Sequence, residues 1–144
     1  VLFRSGSGDD AISYAGSSAG VTVNLATGLG FGGDAQGDAI SNVEKVIGSH
    51  LNDLLIAGPL AATLVGNDGD DTLVSGAGSD SLDGGGGTNT VDYSNSSAAI
   101  NLNLATGIGT GGYADGDLLG SNPNCIPLQL EIELIVANIS KLRS

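Results

Sequence analysis

Between Gly66 and Val74 the chain reads GNDGDDTLV, which crowds Asp68, Asp70 and Asp71 into four positions with no lysine or arginine beside them. Carboxylates this close repel one another unless an opposite charge is supplied. Carboxylate and backbone oxygens set among glycines are what a hard cation takes as ligands. Cation binding is therefore the chemistry to which these residue types and this spacing point.

Other spacings associated with chemistry lack partners here. Gly16-Ser17-Ser18-Ala19-Gly20 has the form G-x-S-x-G of serine hydrolases. A nucleophile there needs a histidine, and the only one is His50. The equivalent stretch Asn95–Ala99 has lost both glycines, so the segment reads as a Gly/Ser turn. Gly28-x-Gly30-x-x-Gly33 has the spacing of a dinucleotide loop, but polar turn residues follow it where a helix is required. A lone histidine makes no zinc site. Asn95-Ser96-Ser97 is a glycosylation sequon by pattern and reads as a turn. No catalytic residue is assigned.

The elements that must position the aspartates follow from internal repetition. The segment 14–40 lies over 93–119 without a gap, and 15 of 27 positions are identical, including NLATG at 24–28 and 103–107. Between the copies runs a finer period of nine: GSHLNDLLI, AGPLAATLV, GNDGDDTLV, SGAGSDSLD, GGGGTNTVD. The eighth place is Leu55, Leu64, Leu73, Leu82 and Val91; the sixth is Asp53, Ala62, Asp71, Asp80 and Asn89. The register extends upstream to SGSGDDAIS at 5–13, with Asp10 sixth and Ile12 eighth. The first six places of each unit favour a turn, because glycine permits positive φ and Asn and Asp tolerate it. The last three, such as Thr72-Leu73-Val74, suit a short strand. Turn and strand alternating with this period wind a flattened coil. Strands two nonapeptides apart stack in parallel, and one apolar residue per strand points inward. The alternations Val21, Val23, Leu25 and Ile100, Leu102, Leu104 each predict a strand with one buried face.

These nonapeptides resemble the RTX, or haemolysin-type, calcium-binding repeat, whose pattern is G-G-x-G-x-D-x-U-x. GNDGDDTLV departs from it only at Asn67 and SGAGSDSLD only at Ser75; GGGGTNTVD has Asn89 for the aspartate, and AGPLAATLV is degenerate. The spacer sequences resemble those between short repeat arrays of large RTX exoproteins, and the resemblance covers about 5–119. It implies an all-β, right-handed parallel β-roll with longer spacer coils. It also implies that Ca²⁺ lies between adjacent turns, held by sixth-place aspartates and glycine carbonyls. The candidate ligands are Asp53, Gly66, Asp68, Gly69, Asp71, Asp80 and Asn89. Alternate turns share an edge. On the first edge Asp71 is expected between Asp53 and Asn89. On the second, Asp80 is expected between Ala62 and Ala98, which makes it the poorer site.

Composition agrees with a thin, ion-dependent structure. The chain has 144 residues, 25 of them glycine, no Trp and no Met; 13 of its 16 acids are Asp, and its net charge is −12. Such acidity repels nucleic acid and anionic membrane. No apolar run is long enough to span a bilayer. The single Cys125 forms no internal disulfide.

The expected organisation is a non-native leader at 1–5, a first spacer unit at 6–47, the nonapeptide array at 48–92, a second spacer at 93–119 and a divergent tail at 120–144. The resemblance implies a secreted, extracellular or cell-surface bacterial protein, exported by type I secretion unfolded at low calcium. Its expected partners are calcium ions, the rest of a longer polypeptide, and contacts at the cell surface or with the secretion system. The function so implied is calcium binding that drives folding. A spacer or adhesin segment, and the C-terminal part of a secreted enzyme, are the alternatives.

Overall fold

A computed structural model describes residues 1–120 and 133–135. The divergent tail expected at 120–144 lies, but for Gly120 and Glu133–Ile135, outside the described residues.

The strands are short because each nonapeptide gives only its last three places to a ladder. In chain order they are β1 (Leu2–Arg4), β2 (Ala11–Ser13), β3 (Thr22–Asn24), β4 (Leu29–Phe31), β5 (Ala39–Ser41), β6 (Lys45–Ile47), β7 (Leu54–Ile56) and β8 (Thr63–Val65). There follow β9 (Thr72–Val74), β10 (Ser81–Asp83), β11 (Thr90–Asp92), β12 (Asn101–Asn103), β13 (Ile108–Thr110), β14 (Leu118–Leu119) and β15 (Glu133–Ile135). The described residues are all-β, with two short 3₁₀ turns among them at Gly33–Ala35 and Gly112–Ala114.

Two sheets form. One runs β1-β5-β4-β3-β7-β9-β11-β15 and the other β12-β13-β14-β10-β8-β6-β2. In the array the ladder is parallel and offset by two nonapeptides, as the period requires: Leu55 pairs with Leu73, Leu73 with Val91, and Leu64 with Leu82. These eighth-place residues are the core. Leu55, Leu64 and Leu73 are fully buried, and Leu82 and Val91 nearly so. No coil can bury its apolar residue alone, so stability is shared between neighbours.

Inside the spacers the chain turns back on itself, which the nonapeptide period did not anticipate. β3 pairs antiparallel with β4, and β4 with β5; β12, β13 and β14 repeat the pattern. NLATG makes the reversal. Asn24 Oδ1 accepts the Thr27 N–H at 3.0 Å, and the Asn24 carbonyl accepts the Gly28 N–H at 2.8 Å. Gly28 then takes φ of 70°, which favours glycine. Asn103 and Gly107 do the same in the second copy. A buried phenol closes each spacer: Tyr14 Oη donates to Asp38 Oδ2, and Tyr93 Oη to Asp117 Oδ2, both at 2.9 Å. Burial is the main reason both phenols titrate well above the ordinary tyrosine range, with the adjacent carboxylate adding to it.

Leu2–Arg4, expected outside the repeat register, form β1 against β5. This pairing matches that of β10 with β14: Leu2 faces Ala39 as Ser81 faces Leu118.

Candidate metal centre

The turns leading into β7, β9 and β11 stack on one edge and bring Asp53, Asp71 and Asn89 into a buried column. Each side chain takes an N–H from the turn below it. Val21 N donates to Asp53 Oδ1 at 2.7 Å, Asp53 N to Asp71 Oδ1 at 2.8 Å, and Asp71 N to Asn89 Oδ1 at 2.9 Å. The neighbours expected for Asp71 are the ones observed. Asp53 is further saturated by Ser49, whose Oγ donates to Oδ1 at 2.8 Å and whose N donates to Oδ2 at 2.6 Å.

Asp71 differs. Its Oδ2 is buried and has no hydrogen-bond partner among the described residues. Gly66 lies directly against it. A Cβ at Gly66 would collide with Asp71 Oδ2 and sit 2.6 Å from the Gly84 carbonyl oxygen. Burial raises the Asp71 carboxyl from 3.8 to about 6, and the charges of Asp53, Asp70 and Asp68 add to the rise against the Asp53 N–H bond. An unpaired buried carboxylate costs free energy unless a proton or a cation joins it.

Asp68 and Gly69 are placed differently. Asp68 is exposed and its Oδ2 lies 3.2 Å from His50 Nδ1, one coil away. Gly69, with φ of 120°, packs against the Leu51 carbonyl, where a side chain would clash. Asp70 is also exposed and accepts the Thr88 N–H at 2.8 Å.

The second edge corrects the expected neighbours of Asp80. Ala62 lies on one side, and its N–H donates to Asp80 Oδ1 at 2.9 Å. On the other side stands Asp117 and not Ala98: Asp80 N donates to Asp117 Oδ1 at 2.7 Å. The cause is the spacer, which leaves through β12 at the far edge and returns through β14 beside β10. Asp117 was missed because its distance along the chain from Asp80 is far more than the two nonapeptides of the array. The signal was present as Asp-x-apolar, the sixth-to-eighth spacing, in Asp38-Ala39-Ile40 and Asp117-Leu118-Leu119. Asp80 and Asp117 are both buried and satisfied. Asp80 Oδ2 accepts from Gly76 N at 2.9 Å and Ser75 Oγ at 3.1 Å, and Asp117 Oδ2 lies 2.9 Å from Ser75 Oγ. Burial, with the Asp117 charge, raises the Asp80 carboxyl, and the Gly76 and Ala62 N–H bonds oppose the rise.

Residues 56–91 match the family model of the RTX calcium-binding nonapeptide repeat, in four copies. These residues are RTX repeats. No curated protein gives a significant match to the chain. The RTX match begins at Ile56, so the nonapeptide at 48–56 stacks on the matched array from outside it. RTX repeats imply calcium binding, form a structural and not a catalytic family, and are typical of secreted bacterial proteins.

The residues present fit that ion. The RTX column offers an orphaned carboxylate oxygen, and the Gly66 cradle is one that a side chain would fill. The only other buried side-chain oxygen without a partner among the described residues is Oδ2 of Asp10, also a sixth-place aspartate. Among the described residues no three Asp, Glu, His or Cys side chains converge. A cation on an RTX edge here must therefore draw on backbone carbonyls as well, which suits calcium's six to eight oxygen ligands. Among the described residues no helix is long and apolar enough to cross a membrane.

Proposed function

We propose that calcium, held on the first edge around Asp71, drives the folding of this module outside the cell. The carrying observation is Asp71 Oδ2, buried and unpartnered in a stack of otherwise satisfied groups. Gly66 abuts that oxygen, Asp53 N–H holds the other carboxylate oxygen, and Asn89 Oδ1 holds the Asp71 N–H. The bound ion supplies the positive charge that this column lacks. Without it, ordering a glycine-rich chain is costly and the return is about one apolar residue per strand. With it, binding free energy becomes folding free energy. A chain that is unfolded at low calcium and folds in the millimolar calcium outside a cell suits type I secretion. Extracellular calcium modules bind at roughly 10⁻⁴–10⁻³ M, and this array belongs in that range.

Asp80 is the weaker ligand because its oxygens already have donors, not because alanines surround it. In a calcium titration followed by circular dichroism, with magnesium as control, Asp71→Ala raises the calcium midpoint more than Asp80→Ala does. Complete β-structure in chelator, or a larger effect at Asp80, refutes the proposal. One observation bears on the setting. The same spacer fold occurs twice, which favours a rod or surface spacer over an enzyme's tail; the complete gene decides between them.

A further inference from the structure

The turns of the array differ at the second place of the nonapeptide. Before β7, Ser49 N donates to Asp53 Oδ2 at 2.6 Å, and before β10, Gly76 N donates to Asp80 Oδ2 at 2.9 Å. Ser49 and Gly76 both hold the second place, and neither has a positive φ. Each of these turns caps its own aspartate. Before β9 and β11 the second place is left-handed, with φ of 79° at Asn67 and 78° at Gly85. Gly85 N turns back to Asp83 Oδ1 at 3.1 Å, and Asn67 N makes no bond to Asp71 Oδ2. Asn89 needs no such cap: its Oδ1 accepts the Asp71 N–H, and its other terminal atom is an amide nitrogen, a donor itself. Asp71, 1% exposed, has a bare oxygen in that position. A residue other than glycine is uncommon at positive φ, and among the described residues only Asn42 and Asn67 take it. The Asn67 side chain pins the turn, its Nδ2 donating to the Gly48 carbonyl at 2.9 Å.

We infer that Asn67 is a positioning residue for the cation site: its left-handed backbone withholds the N–H that caps the equivalent aspartates, and so keeps Asp71 Oδ2 free for calcium. Two turn states then exist on one repeat. In the capped state the aspartate is satisfied by its own turn, and the ion has to break a charge-assisted hydrogen bond to reach it. In the uncapped state the carboxylate oxygen is costly until a cation arrives. Ser49 shows that a residue with a side chain fits the second place in the capped state. The choice at each turn therefore lies with the residue after the first glycine, and it decides which aspartate answers to calcium. The inference rests on the calcium reading above and names the residue that sets it.

The test compares Asn67→Ala with Asn67→Gly in the full chain, by circular dichroism in chelator and through a calcium titration. Both changes remove the bond to Gly48, so its loss cancels. Alanine favours negative φ and the capped turn, whereas glycine keeps the left-handed one. Asn42→Ala and Asn42→Gly are the controls, at a left-handed position with no aspartate to cap; there alanine is strained and lowers the β-signal relative to glycine. At position 67 the order in chelator is expected to be the opposite, with alanine giving more β-structure than glycine. In calcium the order at 67 reverses, and the midpoint of Asn67→Ala lies at least about tenfold above that of Asn67→Gly, because the ion must displace the cap. Two results overturn the inference: Asn67→Ala falls below Asn67→Gly in chelator as the Asn42 pair does, or the two Asn67 variants share one calcium midpoint. A parent chain with no calcium response refutes the folding proposal instead, and the order in chelator still decides whether Asn67 withholds the cap.

Discussion

The substitution Asp71→Asn should push the two states of the protein in opposite directions. In chelator the buried carboxylate is a liability. Its pKa is raised from 3.8 to about 6, chiefly by burial. A group whose pKa rises on folding contributes stability below its unfolded pKa and loses it as pH climbs through the folded value. By pH 7.5 the loss is complete. A rise of this size corresponds to about 3 kcal/mol. Asparagine in this place keeps the Oδ1 acceptor for Asp53 N and removes the charge, the solution the chain itself uses at Asn89. Relaxation of the surroundings discounts the gain to about 2 kcal/mol. A difference of about 2 kcal/mol shifts the folded-to-unfolded ratio in chelator at pH 7.5 by a factor of up to about 30. At pH 4, where Asp71 is protonated, the difference shrinks toward zero. The assay is the fraction of β-structure by circular dichroism in chelator at both pH values, repeated across a calcium titration. In calcium the order reverses, because a neutral amide is the poorer ligand. A D71N variant no more stable than the parent in chelator at pH 7.5, or one that keeps its full calcium response, refutes the reasoning.

Gly66→Ala should cost several kcal/mol or displace the turn, because its Cβ meets Asp71 Oδ2 and the Gly84 carbonyl, while Gly16→Ala, with nothing within 4 Å, should be near neutral; urea midpoints in calcium compare the two. Leu64→Ala empties a fully buried site and should cost about 2–5 kcal/mol, against less than about 0.5 kcal/mol for Leu60→Ala at 73% exposed, read the same way. Tyr93→Phe withdraws a donor from the buried Asp117 and should cost about 1–3 kcal/mol, with the loss of protection concentrated in 93–119 by hydrogen exchange.

The array was legible because its geometry is local. A period of nine places Thr72–Val74 in a strand, Leu73 inside and Asp71 against Asp53, and all three hold. Where the spacing ceased to be periodic, inference failed. The alternation Val21, Val23 foretold β3, but the reversal after Asn24 depends on a side-chain cap and a left-handed glycine, which hydrophobic pattern does not register. The duplication of 14–40 at 93–119 showed that the spacers would be alike. It did not show that β14 would return to β10 and carry Asp117 to Asp80, since that contact is fixed by where a hairpin lands. The unpartnered Asp71 oxygen was also beyond the sequence. Asp53 has the same register position but is saturated by Ser49, a difference that only the turn's folded path reveals.

Each coil of the array uses two nonapeptides to advance by one strand. Along the stacking direction that advance is about 4.8 Å, whereas two nonapeptides drawn out fully reach about 60 Å. The folded array therefore holds its contour about twelvefold compressed. A pull along the stacking axis loads the ladder bonds between neighbouring coils. Each coil that gives way lengthens the chain by more than the folded length of ten others. A short roll of this kind is a reserve of slack, released one coil at a time.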